Sequence, residues 1–170
     1  GELQKVSKGK YYKPQKTILG QLKPEMTEII KDFLFKDNEV IGYVTGTQAF
    51  ASMGLTTQIS STILIGTNEY RRPIKRGAYL IRFLRQKNTI TESNIESLRI
   101  LDAIKYIKES PATSPDEVCK VIIEIIRNLD VENLEMLEKL TFGYTGYVRA
   151  VVGAIFEQLG FDDEHDNEHL

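Results

Sequence analysis

The sequence is poor in the residues that most often do chemistry. It has one cysteine, Cys119, and two histidines, His165 and His169, in 170 residues. One cysteine cannot close an internal disulfide, which fits a reducing cytosol. The histidines fall together in an acidic tail that lacks the apolar residues needed for a dry, ordered metal site. No G-x-x-x-x-G-K-S/T or G-x-G-x-x-G pattern occurs, so the familiar phosphate-binding loops are excluded. No apolar run reaches the roughly 18 residues of a membrane span, and no secretory signal is present. The carboxylates form no recognisable acid/base pair. Catalysis therefore has no candidate constellation: the expectation is a cytoplasmic protein that is not an enzyme, with no cofactor and no membrane partner.

What the sequence does hold is an asymmetry of charge. Residues 1–88 carry 15 Lys+Arg against 7 Asp+Glu, a net +8. Residues 89–170 carry 7 against 17, a net −10. Such a division points to one surface for an anionic partner and another for solvation or a basic partner. Two basic clusters stand out. Lys5, Lys8, Lys10 and Lys13 lie in the segment Glu2–Pro14, whose alternation about Lys8-Gly9 predicts a β-hairpin. Arg71, Arg72, Lys75 and Arg76 lie in a predicted loop between two apolar segments. Lysines along a phosphate backbone give salt-dependent affinity without sequence preference. Arginine binds phosphates or carboxylates in bidentate fashion. Both clusters are candidate sites for nucleic acid or a partner protein.

The expected fold class is α+β. Pro24 to Phe35 predicts a helix with Met26, Ile29, Ile30, Phe33 and Leu34 on one stripe. Val40–Val44 predicts a short buried strand or an extended chain entering the central helix. Thr45 is expected to cap a short helix from about Gly46 to Met53, with Gly54 ending it in the left-handed conformation. Ser61–Thr67 and Ala78–Arg85 predict two strands paired through the basic loop. Ala49 precedes Gly54 by five residues, and a β-branched strand follows, so this stretch does not fit a helix-turn-helix.

Four helices are expected after residue 89. Thr91 caps the first, and Ser114-Pro-Asp-Glu117 opens the second as a capping box. Val118, Ile122, Ile125 and Ile126 turn its stripe inward. Asp130 caps a third helix with Leu134, Leu137 and Leu140 inside. The last runs from about Thr145 to Leu159, where Gly153 permits close helix packing and Gly160 closes the helix. Arg149 is expected either to pair with an acid of this bundle or to face a partner. Cys119 reads as a packing residue. Asp162–Leu170 is an acidic tail expected to be disordered.

Three segments in this order resemble AbiEi-type antitoxins. Val6-Ser-Lys-Gly-Lys-Tyr-Tyr-Lys-Pro14 is similar to the wing that ends their winged helix-turn-helix. Tyr43-x-Thr45-Gly46-x-x-Ala49 followed by Gly54-Leu-Thr-Thr-Gln58 is like their Y-x-S/T-G-x-x-A…G-L-T-x-Q segment. Tyr144 to Gly160, with Arg149 and Gly153, looks like their closing helix. The resemblance implies residues 1–16 as a remnant wing, 17–88 as a mixed α/β part, 89–161 as a helical part and 162–170 as a tail. It implies a type IV, abortive-infection antitoxin opposing a nucleotidyltransferase-like toxin. The recognition helix, which would repress the operon by binding its DNA operator, is then expected upstream of Gly1. Two other classes are left open: a winged-helix transcriptional regulator with a ligand-sensing or dimerising domain and no toxin partner, and a nucleic-acid enzyme that uses the basic loop with acidic residues the sequence does not place.

Overall fold

The structure, a computed structural model, describes residues 22–55, 60–107 and 114–161. The chain divides into two compact units, residues 1–99 and 100–170. The predicted wing, with Lys5, Lys8, Lys10 and Lys13, lies outside the described residues. So do Thr56, Thr57 and Gln58 of the central motif, and His165 and His169. Among the described residues no helix is long and apolar enough to cross a membrane.

In the first unit, helix α1 spans Pro24–Leu34. Proline is tolerated at its start because the amide it lacks would have no partner within the helix. Met26, Ile30, Phe33 and Leu34 are buried, as the predicted stripe requires. The chain then forms a small hairpin of β1 (Phe35–Lys36) and β2 (Glu39–Val40). Asp37 and Asn38 both take positive φ, 52° and 68°, the pair of left-handed residues a two-residue hairpin turn needs. The Asp-Asn pair was the missed signal in a segment expected only to end the helix.

A four-stranded sheet follows, in the order β3-β4-β6-β5. Its strands are β3 (Gly42–Thr45), β4 (Thr62–Thr67), β5 (Ile74–Arg76) and β6 (Tyr79–Arg85). Between β3 and β4 lies α2, Thr47–Ser52. Thr45 is therefore a buried strand residue rather than a cap, and Gly46 takes the N-cap place with φ 71°. Gly54 follows the helix at φ 79°, the left-handed conformation expected of it.

The predicted partnership of Ser61–Thr67 with Ala78–Arg85 is present, but it is parallel. The basic segment does not simply join two neighbours. Chain leaving β4 reverses through residues 68–73, forms the edge strand β5, and turns at Gly77-Ala78 into β6, which sits between the two. Side-chain amides fix this path. Asn68 donates Nδ2 to the Gln86 and Asn88 carbonyls at 2.7 and 2.6 Å and accepts at Oδ1 from the Ile90 amide. Gln86 in turn accepts from the Asn88 amide.

Strand register assigns the two faces of the sheet. Val44, Ile63, Ile65, Ile81 and Phe83 share the face that meets α1, where Phe33 packs edge-on against Phe83 at 4.9 Å. Tyr43, Leu64, Gly66, Leu80, Arg82 and Lys75 share the other. On this second face Tyr43 is fully buried, and its hydroxyl accepts from Gln86 Nε2 at 3.0 Å.

Helix α3, Ile95–Tyr106, follows a 3₁₀ turn at Glu92–Asn94. Asn94 reaches back to accept from the Thr91 amide at 3.0 Å, so the helix start predicted at Thr91 is present. The division between the two compact units falls at 99/100, so the first turns of α3 lie in the unit that holds the sheet. Arg99 donates Nε to the Val44 carbonyl at 2.8 Å, and Ile95 and Leu98 are fully buried.

The second unit is helical, which makes the fold class α+β as expected. It contains α4 (Pro115–Arg127), α5 (Val131–Leu140) and α6 (Gly146–Leu159). Val118, Ile122 and Ile126 of α4 are buried, whereas Ile125 is half-buried. Ser114 stands at the N-cap but makes no side-chain cap bond, so proline at the first position replaces the predicted capping box. Asp130 does cap α5, accepting from the Asn133 amide at 2.8 Å. Leu137 and Leu140 are buried and Leu134 is half-buried. Tyr144 donates its hydroxyl to the buried Asp102 carboxylate at 2.6 Å, tying the turn before α6 to the end of α3.

Gly160 ends α6 at φ 79°, as predicted. Gly153 corrects an expectation: it is exposed, and a Cβ placed on it meets nothing within 4 Å. Close packing is not its role. Gly153→Ala should raise stability by about 1 kcal/mol, measured as the urea midpoint at constant m. A decrease would mean that a neighbour occupies this surface. Arg149, expected to meet an acid, instead lies over the exposed Phe142 ring at 5.9 Å.

Candidate nucleic-acid interface

The four predicted basic residues of residues 69–77 do not share one environment. Arg71 and Arg72 lie on the exposed connection into β5, and Lys75 and Arg76 lie on β5 itself. Alternation along a strand sends Lys75 and Arg76 to opposite faces.

Arg76 is turned inward. Its guanidinium grips Asp32 of α1 through both nitrogens, at 2.7 and 3.0 Å, and donates to the Ile29 carbonyl at 2.7 Å. It also covers the Phe33 ring at 4.2 Å. These contacts use the fork that would otherwise hold a phosphate, so Arg76 fastens the edge strand to α1. Arg71 leans on the same ring from 5.5 Å.

The hydrogen bond from Arg76 holds the Asp32 carboxyl below its usual pKa, with the cation's charge adding to it; partial burial opposes both. A carboxylate with a depressed folded-state pKa contributes stability above its unfolded pKa and loses it as pH falls through the folded value. Asp32 is well exposed, so solvent screening keeps the pair's contribution to a few tenths of a kcal/mol. Asp32→Asn should therefore flatten the stability-pH curve slightly below about pH 4. Arg76→Met should cost more, about 1–2 kcal/mol at pH 7, because the Ile29 carbonyl also loses its donor. Urea titrations of both variants at pH 7 and pH 3 check the order. Equal costs at pH 7 would contradict it.

Lys75 faces the other way. Its register partner is Leu80, and Arg82 stands two residues further along β6 on the same face. Both cations are exposed, beside the half-buried Leu64, Leu80 and Leu84. Exposed Arg85 ends the strand, and Tyr70 beside Arg71 is 75% exposed. Residues 68–88 hold seven Lys/Arg and a single acid, Glu69. β5 and β6 thus carry Lys75 and Arg82 on one face and exposed Arg85 on the other, with Arg71, Arg72 and the Tyr70 ring on the connection that leads into β5.

Arg82, Arg85 and Tyr70 were not among the predicted residues. Arg82 and Arg85 lie on β6, an interior strand of the sheet, yet both are exposed. Charged residues on a short edge strand also discourage pairing with another sheet. That duty would suit either sign of charge, and the excess here is cationic.

The residues of the central motif occupy structural places. Tyr43, Ala49 and Leu55 are buried, and Gly46 and Gly54 take positive φ. Cys119 is half-buried on α4. Among the described residues no group of three His, Cys, Asp or Glu could hold a metal ion.

A family model described as a family of unknown function (DUF6088) matches residues 1–134. No curated protein and no solved structure matches the chain.

Proposed function

The chain belongs to this family, DUF6088, and we propose that it is the antitoxin of a type IV toxin–antitoxin pair whose basic β5–β6 edge contacts the phosphate backbone of nucleic acid. The observation that carries this reading is the run of exposed cations Arg71, Arg72, Lys75 and Arg82 along β5 and β6, while Arg76 is bound to Asp32 and Arg71 also lies over the Phe33 ring. Point charges on a strand edge attract a phosphate backbone without reading bases. The similarity of three ordered segments to AbiEi-type antitoxins supplies the biological role. In that role the protein acts in the cytoplasm against a nucleotidyltransferase-like toxin. Binding of the operator DNA is part of the same proposal, with Lys5, Lys8, Lys10 and Lys13 as candidate contacts.

Expression beside the toxin encoded next to its gene tests the proposal. Cells making the toxin alone should stop growing, and cells making both should grow. Growth arrest that persists with full expression of this protein would end the antitoxin reading. The second reading, a regulator with a ligand-sensing domain and no toxin, is favoured by a cleft of about 370 Å³ lined by Met26, Gln48, Ser52 and Tyr79.

A further inference from the structure

Helix α6 differs from its neighbours in what its exposed side lacks. Its only charged side chains are Arg149 and Glu157, whereas α5 exposes Glu132, Glu135, Glu138 and Lys139. Between the two charges α6 exposes Ala150, Gly153 and Ala154, which leave its backbone close to the surface. The Phe142 ring, 74% exposed and lying against Arg149, extends this patch at the start of the helix.

Arg149, Gly153 and Glu157 follow one another at intervals of four, so they share one ridge of the helix. The two charges stand about 12 Å apart along the axis, too far to pair with each other. Among the described residues neither makes an ion pair. Their order also runs against the helix dipole, which favours an acid near the start and a base near the end. Gly153 lies midway between them, and a Cβ built there meets nothing within 4 Å.

We propose that this ridge is the contact surface for a second copy of the chain, with the two α6 helices antiparallel about a two-fold axis at Gly153. A two-fold contact must be complementary to itself, and reversal about Gly153 makes this ridge so. It sets Arg149 against the partner subunit's Glu157, and Glu157 against the partner subunit's Arg149. A parallel pair would instead set like charges together. Ala150, Gly153 and Ala154 let the two backbones approach to about 8 Å, the short end of helix spacings. The antiparallel order also brings the positive start of each helix beside the negative end of the other. One helix face is smaller than a standard interface, so the pair forms at high protein concentration. The surface belongs wholly to the second unit, and the antitoxin reading can fail without it.

Sedimentation equilibrium of the full chain at fixed salt, from about 10 μM to about 1 mM, tests the proposal; the dimer Kd should fall within that range. Arg149→Glu and Glu157→Arg each turn two attractions into two repulsions, and each should weaken the dimer about tenfold or more. Both reversals suit the dipole of α6 itself, so a lost dimer does not reflect a lost helix. The double variant Arg149→Glu/Glu157→Arg restores opposite charges across the axis and should dimerise within about threefold of wild type. Gly153→Ala should weaken the dimer as well, while still stabilising the helix in dilute solution, where the monomer prevails. A chain that stays monomeric up to about 1 mM overturns the proposal. So does a dimer indifferent to the single reversals, or one that the double variant does not restore. Loss of the dimer in Arg71→Ser/Arg72→Ser/Lys75→Ser, with the single reversals silent, would place the contact on the basic segment instead.

Discussion

Gly66→Ala should destabilise the first unit by about 3 kcal/mol, at the upper end of the cost of forcing extra volume into a packed core. A Cβ at Gly66 would lie 2.3 Å from Tyr43 Cε1 and 2.4 Å from Cζ. The two residues face each other directly across β3 and β4. The ring cannot swing aside freely, because it is fully buried and its hydroxyl is bound by Gln86. Gln86 is itself joined to Asn88, so moving the ring disturbs the amide cluster that routes the chain. The conflict is with the outer ring atoms, which gives an internal control. In a Tyr43→Leu background those atoms are gone, and adding Gly66→Ala should cost less than about 1 kcal/mol. Urea unfolding of the four proteins of this cycle measures the coupling. Additive costs would show that the ring is not the obstacle. Gly42→Ala meets a stiffer one, since its Cβ would lie 2.4 Å from the backbone oxygen of Phe33. Side-chain truncation cannot relieve that contact.

The variant Arg71→Ser/Arg72→Ser/Lys75→Ser should lose nucleic-acid affinity by about tenfold or more at low salt while staying folded. Each cation that neutralises a phosphate contributes nearly one unit to the slope of log affinity against log salt on duplex DNA. Removing three should lower that slope by about two to three. The three side chains are exposed, and Arg76, which secures β5 to α1, is left in place. Including Arg76 would confuse loss of a binding group with loss of the strand's anchor. Fluorescence anisotropy on a short duplex between 50 mM and 200 mM salt, with circular dichroism as the fold control, provides the reading. An unchanged slope would reduce these residues to a solubilising surface.

Much of this arrangement was legible because it is written in local patterns. The stripe Met26, Ile30, Phe33 and Leu34 repeats at helical spacing, and Asp130 and Gly160 mark helix ends by their own chemistry. The parallel path of β4 and β6 was not legible. It rests on Asn68 reaching Gln86 and Asn88 some twenty residues later, and no local spacing encodes that pairing. Gly66 reads in sequence as a break in an apolar strand, and only the opposing Tyr43 explains it. For the candidate interface, composition located the basic segment but could not divide its members. Arg76 differs from Lys75 by one strand position, and its inward role is set by Asp32 on a helix 44 residues earlier.

The decisive measurement is the growth of cells carrying the neighbouring toxin gene, with either the wild-type protein or the Arg71→Ser/Arg72→Ser/Lys75→Ser variant. Growth is expected with wild type and arrest with the variant at equal protein levels. Equal protection by both proteins would contradict it.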